Sequence, residues 1–229
     1  MCISDNVSRL REEIDTAARQ SGRAGSDVTL VAATKTQPTE LIREAIAAGV
    51  DACGENRVQE LAEKSQAGAY GGVPLHFIGH LQKNKIKKVV GAVDLIQSVD
   101  SLSLLAAIDG EAAGQGITQD VLIQVNVGND SAKFGIDPYA LDEFLGQVAP
   151  FAHIRVRGLM TMLPFSLPIP ENRRLFAKMY QFFIDIRGIS YDNVYMDFLS
   201  MGMSGDFQEA VSEGANMIRI GSTIFGDRT

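Results

Sequence analysis

Short β-branched runs alternate with longer stretches in which apolar residues recur every three or four positions, and the alternation persists along the whole chain. Residues 4–19 read as an opening helix with Val7, Leu10, Ile14 and Ala17 on one face. Strands are then predicted over 28–35, 51–55, 75–79, 95–99, 121–127, 154–160, 195–200 and 217–220. The helices between them fall at 38–48, 58–66, 83–90, 101–113, 137–148, 171–186 and 206–212. Pro38 suits a first helical turn and Gly49 a helix end, and Asp137-Pro138 opens another helix. A Pro-rich loop spans 162–170, and residues 221–226 close the pattern.

Eight strands alternating with helices predict an α/β fold with a parallel sheet, and eight repeats favour a closed (β/α)8 TIM barrel preceded by one extra helix. The open doubly wound alternative lacks its glycine fingerprint, because the first strand runs into Thr-Lys-Thr-Gln-Pro. At 229 residues a single domain over 1–229 is expected, since the two strands beyond the Pro-rich loop are too few to stand alone. The net charge of −7 argues against nucleic-acid and anionic-membrane partners, though a small anion remains compatible with a local cluster of positive groups. Two cysteines, Cys2 and Cys53, make no disulfide framework and fit a reducing compartment. With no apolar leader or membrane-length run a cytoplasmic protein is expected, and with no second domain to pair through a monomer is the default.

In such barrels function gathers at the C-terminal ends of the strands. Those ends read Lys35, Gly54-Glu55-Asn56, Gly79-His80, Asn126, Met160 to Met162, Ser200 to Ser204 and Arg219 to Ser222. Most are polar or small, as a ligand site requires. Lys35 ends an apolar strand, where a lysine of lowered pKa could attack an aldehyde and form an imine. Taken alone, Lys35 is equally well read as snorkelling to the mouth or pairing with Glu55. The last two strand ends add hydroxyls, flexible glycines and a guanidinium where barrels bind phosphate. A lysine nucleophile beside a phosphate site suggests pyridoxal 5′-phosphate, or a Schiff-base aldolase without cofactor.

Six segments, in order, carry a resemblance: Ala33-Thr-Lys-Thr-Gln-Pro38, Gly54-Glu-Asn-Arg-Val-Gln-Glu60, His76-Phe-Ile-Gly-His-Leu-Gln-Lys-Asn-Lys85, Arg157-Gly-Leu-Met160, Leu199-Ser-Met-Gly-Met-Ser204 and Ile218-Arg-Ile-Gly-Ser-Thr-Ile-Phe-Gly226. Together they resemble the pyridoxal phosphate homeostasis proteins, the YggS/PROSC family. The resemblance implies a barrel like the N-terminal domain of alanine racemase, with pyridoxal 5′-phosphate as a Schiff base on Lys35. It assigns the phosphate and ring to Ser200, Arg219, Gly221 and Ser222, and places Asn56 beside the cofactor. It also implies a protein of vitamin B6 balance without catalytic turnover, with transient pyridoxal phosphate-dependent apoenzymes as partners. The chain departs from the family at Cys53, where an aromatic residue is usual, and at Ala132-Lys133, where Ser-Lys is common.

His80 is expected near the cofactor and His76 within a packed strand; two histidines without a third ligand make no metal site. Met160, Met162, Met201 and Met203 are expected on the pyridine ring or the barrel top. The basic run 83–88 reads as a solvated helix face and Cys53 as a buried, inert thiol. The rival to a carrier is a pyridoxal phosphate-dependent enzyme, a racemase or decarboxylase using the same lysine. A racemase needs acid–base groups on both faces of the substrate. Lys35 serves one face; Tyr70, Tyr139 and Tyr180 are expected in loops or helices, and Tyr191 and Tyr195 before or at the start of the seventh strand, far from the mouth.

Overall fold

In a computed structural model that describes residues 2–130, 134–164 and 167–226, eight strands pair in parallel, in chain order, into a closed barrel. They are β1 (Thr29–Ala33), β2 (Ala52–Glu55), β3 (Leu75–Phe77), β4 (Leu95–Val99), β5 (Gln119–Gln124), β6 (Ile154–Met160), β7 (Val194–Ser200) and β8 (Met217–Ile220). The helices are α1 (Ile3–Gln20), α2 (Thr39–Ala47), α3 (Val58–Gln66), α4 (Leu102–Gln115), α5 (Leu141–Gly146), α6 (Ile169–Arg187), α7 (Phe207–Ser212) and α8 (Ser222–Phe225). β8 pairs with β1, in the register Val31 with Arg219. The expected barrel with its extra N-terminal helix is therefore the fold.

Apolar burial is divided into two shells. Val31, Ala52, Leu95, Leu122, Met160 and Met217 fill the barrel interior. A larger cluster lies between the strands and the surrounding helices and includes Leu30, Ile96, Leu105, Ile123, Leu159 and Phe176. β4 and β8 are buried along their whole length, and both stand at the bounds the sequence predicted. In α1 the predicted face Val7, Leu10, Ile14 and Ala17 is buried. α1 also closes the ring of helices: Asn6 Nδ2 donates to Ile224 O of α8 at 2.9 Å.

Several bounds differ from expectation. β1 ends at Ala33 and β3 at Phe77, so Thr34, Lys35, Gly79 and His80 belong to the loops above the strands. β5 starts at Gln119, two polar residues before the apolar run, because Asp120 is held by Arg155 at 2.6 Å and Arg157 at 2.7 Å. The basic segment is a short 3-10 stretch, Lys83–Lys88, in place of an α-helix; lysines three and four apart repel on a helix face. The helix expected over 137–148 is a 3-10 turn, Pro138–Ala140, followed by the single-turn α5.

Candidate functional site

Because side chains alternate along a strand, the residue two beyond each interior apolar position also points inward, one layer nearer the C-terminal mouth. Leu95 is thus followed by Gln97, Phe198 by Ser200 and Met217 by Arg219, each buried. These polar residues form one directional chain. Arg219 Nη1 donates to Ser200 Oγ at 2.5 Å and Nη2 to Thr161 O at 2.8 Å. Ser200 Oγ donates to Gln97 Oε1 at 2.7 Å. Gln97 Nε2 then lies 2.9 Å from His76 Nδ1. Donation from the amide makes that nitrogen an acceptor, so His76 is neutral here. Burial pushes its pKa down to about 4, with the charge of Asp94 opposing.

Arg219 is 4% exposed, and no carboxylate hydrogen-bonds to it among the described residues. Burial draws its pKa down to about 10, against the opposing charge of Asp206. It remains a cation at neutral pH, hydrogen-bonded to neutral groups with the charge of Asp206 acting on it, and a buried charge of this kind is costly. One turn onward, Gly221 lies against β1: a Cβ built there would be 3.6 Å from Ala33 Cβ. The Gly221 and Thr223 amides converge on Ser204 Oγ at 3.3 and 3.4 Å, long bonds that leave the two N–H groups weakly engaged. Ser222 lies between them in sequence, so the turn after β8 carries donors of a kind suited to a small anion.

Lys35 is half-buried between two tethered residues. Thr34 Oγ1 donates to Glu55 Oε2 at 3.0 Å, and Thr34 O accepts from Lys64 Nζ at 2.8 Å. Thr36 has φ +63° and gives its N–H to Glu60 Oε2 at 2.6 Å. A β-branched residue at positive φ is an outlier that costs about 1–3 kcal/mol. Glu55, fully buried, is matched by Lys64 at 2.8 Å, Tyr70 Oη at 3.1 Å and the Asn56 N–H at 2.8 Å, so the expected alternative partner of Lys35 has its own. Asn56 Oδ1 is buried and accepts no hydrogen bond among the described residues. Such orphans are rare and mark a group that awaits a donor.

The sequence-predicted residues therefore separate. Lys35, Asn56, Arg219, Gly221 and Ser222 all stand at the C-terminal ends of β1, β2 and β8, three strands joined around one edge of the mouth. Ser200 lies beneath, its proton committed to Gln97 and its oxygen to Arg219. Met201 is fully buried in the outer core and gives its N–H to Met217 O. His80 is at the rim, stacked on Phe134 at 3.8 Å with Nδ1 3.6 Å from Asp100. Tyr70, expected in a loop or helix, donates from its hydroxyl to the buried Glu55. Ser204, Glu60 and Lys64 were missed as site residues. Ser204 alone had a local signal, a hydroxyl in a Gly-containing loop just before a helix start. Lys133 lies outside the described residues.

A family model described as the alanine racemase N-terminal domain matches residues 6–229. The pyridoxal phosphate homeostasis protein of Aquifex aeolicus (strain VF5) is 41% identical over 228 residues, covering 100% of this chain and 99% of its own length. A solved structure of PipY from Synechococcus elongatus PCC7942 with PLP bound superposes with a TM-score of 0.85 at 35% identity, covering 98% of this chain and 100% of PipY. An alanine racemase from Clostridium difficile 630, at 17% identity and TM-score 0.75, shares the barrel fold over 57% of its length and 98% of this one.

Proposed function

The chain belongs to the pyridoxal phosphate homeostasis proteins, built on the alanine racemase N-terminal domain, and on that premise we propose that it binds pyridoxal 5′-phosphate at the mouth of the barrel as a Schiff base on Lys35. The observation that carries this reading is Arg219: a buried guanidinium hydrogen-bonded to neutral groups, on the strand that leads to the Gly221 and Thr223 amides, with a buried unsatisfied amide oxygen on Asn56 after β2. When bound, the cofactor supplies an aldehyde that takes up an amine and an anionic phosphate that needs donors. Lys35 offers the amine. The Gly221 and Thr223 amides with the Ser204 and Ser222 hydroxyls form a set of donors suited to the phosphate. Asn56 Oδ1 would accept from the ring hydroxyl. Arg219, one layer below these donors, would serve the ring nitrogen.

A guanidinium at that nitrogen is a donor with no proton to spare, so it keeps the nitrogen unprotonated and the ring a weak electron sink. The fit therefore favours storage and delivery over turnover. Tyr70, the phenol nearest the site, donates to Glu55 and is pushed up in pKa by burial, with the charge of Glu55 adding to this; it makes no second base. We read the chain as one cofactor-carrying unit of the cytoplasm, monomeric, handing its cargo to apoenzymes. Its described cysteines are free thiols, and no described helix is long and apolar enough to cross a membrane.

The test is an absorbance spectrum before and after borohydride, with peptide mapping of the reduced product. Native protein is expected to be yellow and to carry the label on Lys35. Lys35→Ala is expected to be colourless and unlabelled. A yellow Lys35→Ala protein labelled on another lysine ends the assignment.

A further inference from the structure

The residues on both sides of Lys35 are fixed by one side-chain cluster that belongs to other elements. Glu55 ends β2, while Glu60 and Lys64 lie one turn apart on α3. Lys64 Nζ bridges the two carboxylates, at 2.8 Å to Glu55 and 2.7 Å to Glu60, and takes Thr34 O as a third acceptor at 2.8 Å. All three donor directions of the ammonium are thereby used. Held in this way, Glu60 accepts the Thr36 N–H at 2.6 Å, the shortest tie to the Lys35 loop. Thr36 is the residue at φ +63°. Released, a threonine returns to the extended or right-handed region, and its rotation about φ swings the preceding peptide and with it the Lys35 Cα–Cβ direction.

We propose that Glu60, itself held by Lys64, is a positioning residue for the Lys35 amine: it keeps Thr36 left-handed and so aims the lysine side chain into the mouth. The proposal rests on Lys35 being the residue that takes the aldehyde. In that condensation a carbon–nitrogen double bond forms to Nζ, the carbonyl oxygen leaves as water, and nothing is oxidised or reduced. The approach of Nζ to the carbonyl carbon is directional, so a loop that wanders lowers the fraction of encounters that react. The phosphate donors, on β8 and α8, are other residues and do not depend on Thr36.

That separation supplies the test. Glu60→Gln keeps size but loses the charge-assisted bond, which is worth about a tenfold change or more. The whole chain, native and variant, is titrated with pyridoxal 5′-phosphate and with pyridoxine 5′-phosphate, which carries an alcohol in place of the aldehyde. In parallel, amide hydrogen exchange at Thr36 is followed in the cofactor-free protein. Glu60→Gln is expected to weaken the aldehyde by about tenfold, leave the alcohol within about twofold, and speed exchange at Thr36. Adding Thr36→Asn, which tolerates the left-handed region, is expected to recover part of the aldehyde affinity. Lys64→Arg serves as a second route to the same loop and is expected to act in the same sense as Glu60→Gln but more weakly. Equal weakening of aldehyde and alcohol, or unchanged exchange at Thr36, overturns the positioning role. A native chain that forms no imine overturns both this role and the Lys35 assignment. A native chain that forms one, with Glu60→Gln indistinguishable from it, overturns the positioning role alone.

Discussion

The hydrogen bonds from Arg219 through Ser200 and Gln97 to His76 all run in one direction, which makes the chain sensitive to single protons and single atoms. The folded protein holds His76 neutral, with its pKa pushed down from 6.5 to about 4, so the unfolded chain binds the extra proton between those values. Stability from this group is complete above about pH 6.5 and is lost as pH falls towards 4, by roughly 3 kcal/mol in all. Urea unfolding from pH 7.5 down to 4.5 should show that slope, and His76→Gln should flatten it; an equal slope in both proteins refutes the assignment. Ser200→Ala strands Arg219 Nη1 and Gln97 Oε1 in the interior and should cost about 1–3 kcal/mol of stability. Ser204→Ala should leave the urea midpoint almost unchanged and weaken phosphate-bearing ligands roughly fivefold or more, measured by titration. The sequence put Ser200 at a strand end and Ser204 in the loop beyond it, and the resemblance assigned the phosphate to Ser200 alone. Strand register decides which hydroxyl turns inward, and register is a property of β7 paired with its neighbours. Lys35, Arg219 and Gly221 were legible because each interrupts an apolar run at a predicted strand end. The Glu60–Lys64 support was not, since a carboxylate four residues before a lysine reads first as a solvated helix pair.

Among the elements, β6 shows how far an apolar pattern reaches. Its bounds were predicted as they stand, 154–160, yet the register shifts against β5 and against β7 were not. The shift towards β7 centres on Gly158, at φ +145°, where a Cβ would lie 1.9 Å from Phe198 O. An isolated glycine in a strand is the available signal for such a bulge. Gly158→Ala should therefore destabilise by several kcal/mol, through backbone strain and a clash with main chain that has no rotamer to change. Chemical denaturation would measure this; a loss below about 1 kcal/mol would mean that β7 can shift to accept the methyl group. The bulge also sets Arg157 between Asp120 and Asp197, at 2.7 and 2.5 Å. That ladder explains why β5 extends into polar residues that hydropathy had assigned to a loop.

For the molecule as a whole, the arrangement predicts retention of a cofactor without conversion of amino acids. Holo-protein incubated with single enantiomers in deuterated water should show neither α-exchange nor inversion at enzyme-like rates. Exchange that is fast, and abolished in Lys35→Ala, would restore the enzyme reading. Barrel closure brings the two ends of the sequence together, with β8 beside β1 and α1 bonded to α8. That closure imposes an order on biosynthesis. Ribosomes add on the order of 5–20 residues per second, so the Lys35 amine is made on the order of ten seconds or more before Arg219 and the phosphate donors exist. A nascent chain therefore carries its nucleophile well ahead of the groups that select a phosphate. If Lys35 takes the aldehyde as proposed, selection for a phosphate-bearing one begins only when the last strand docks, and a ribosome stalled before β8 would display Lys35 as an ordinary solvated amine with no filter.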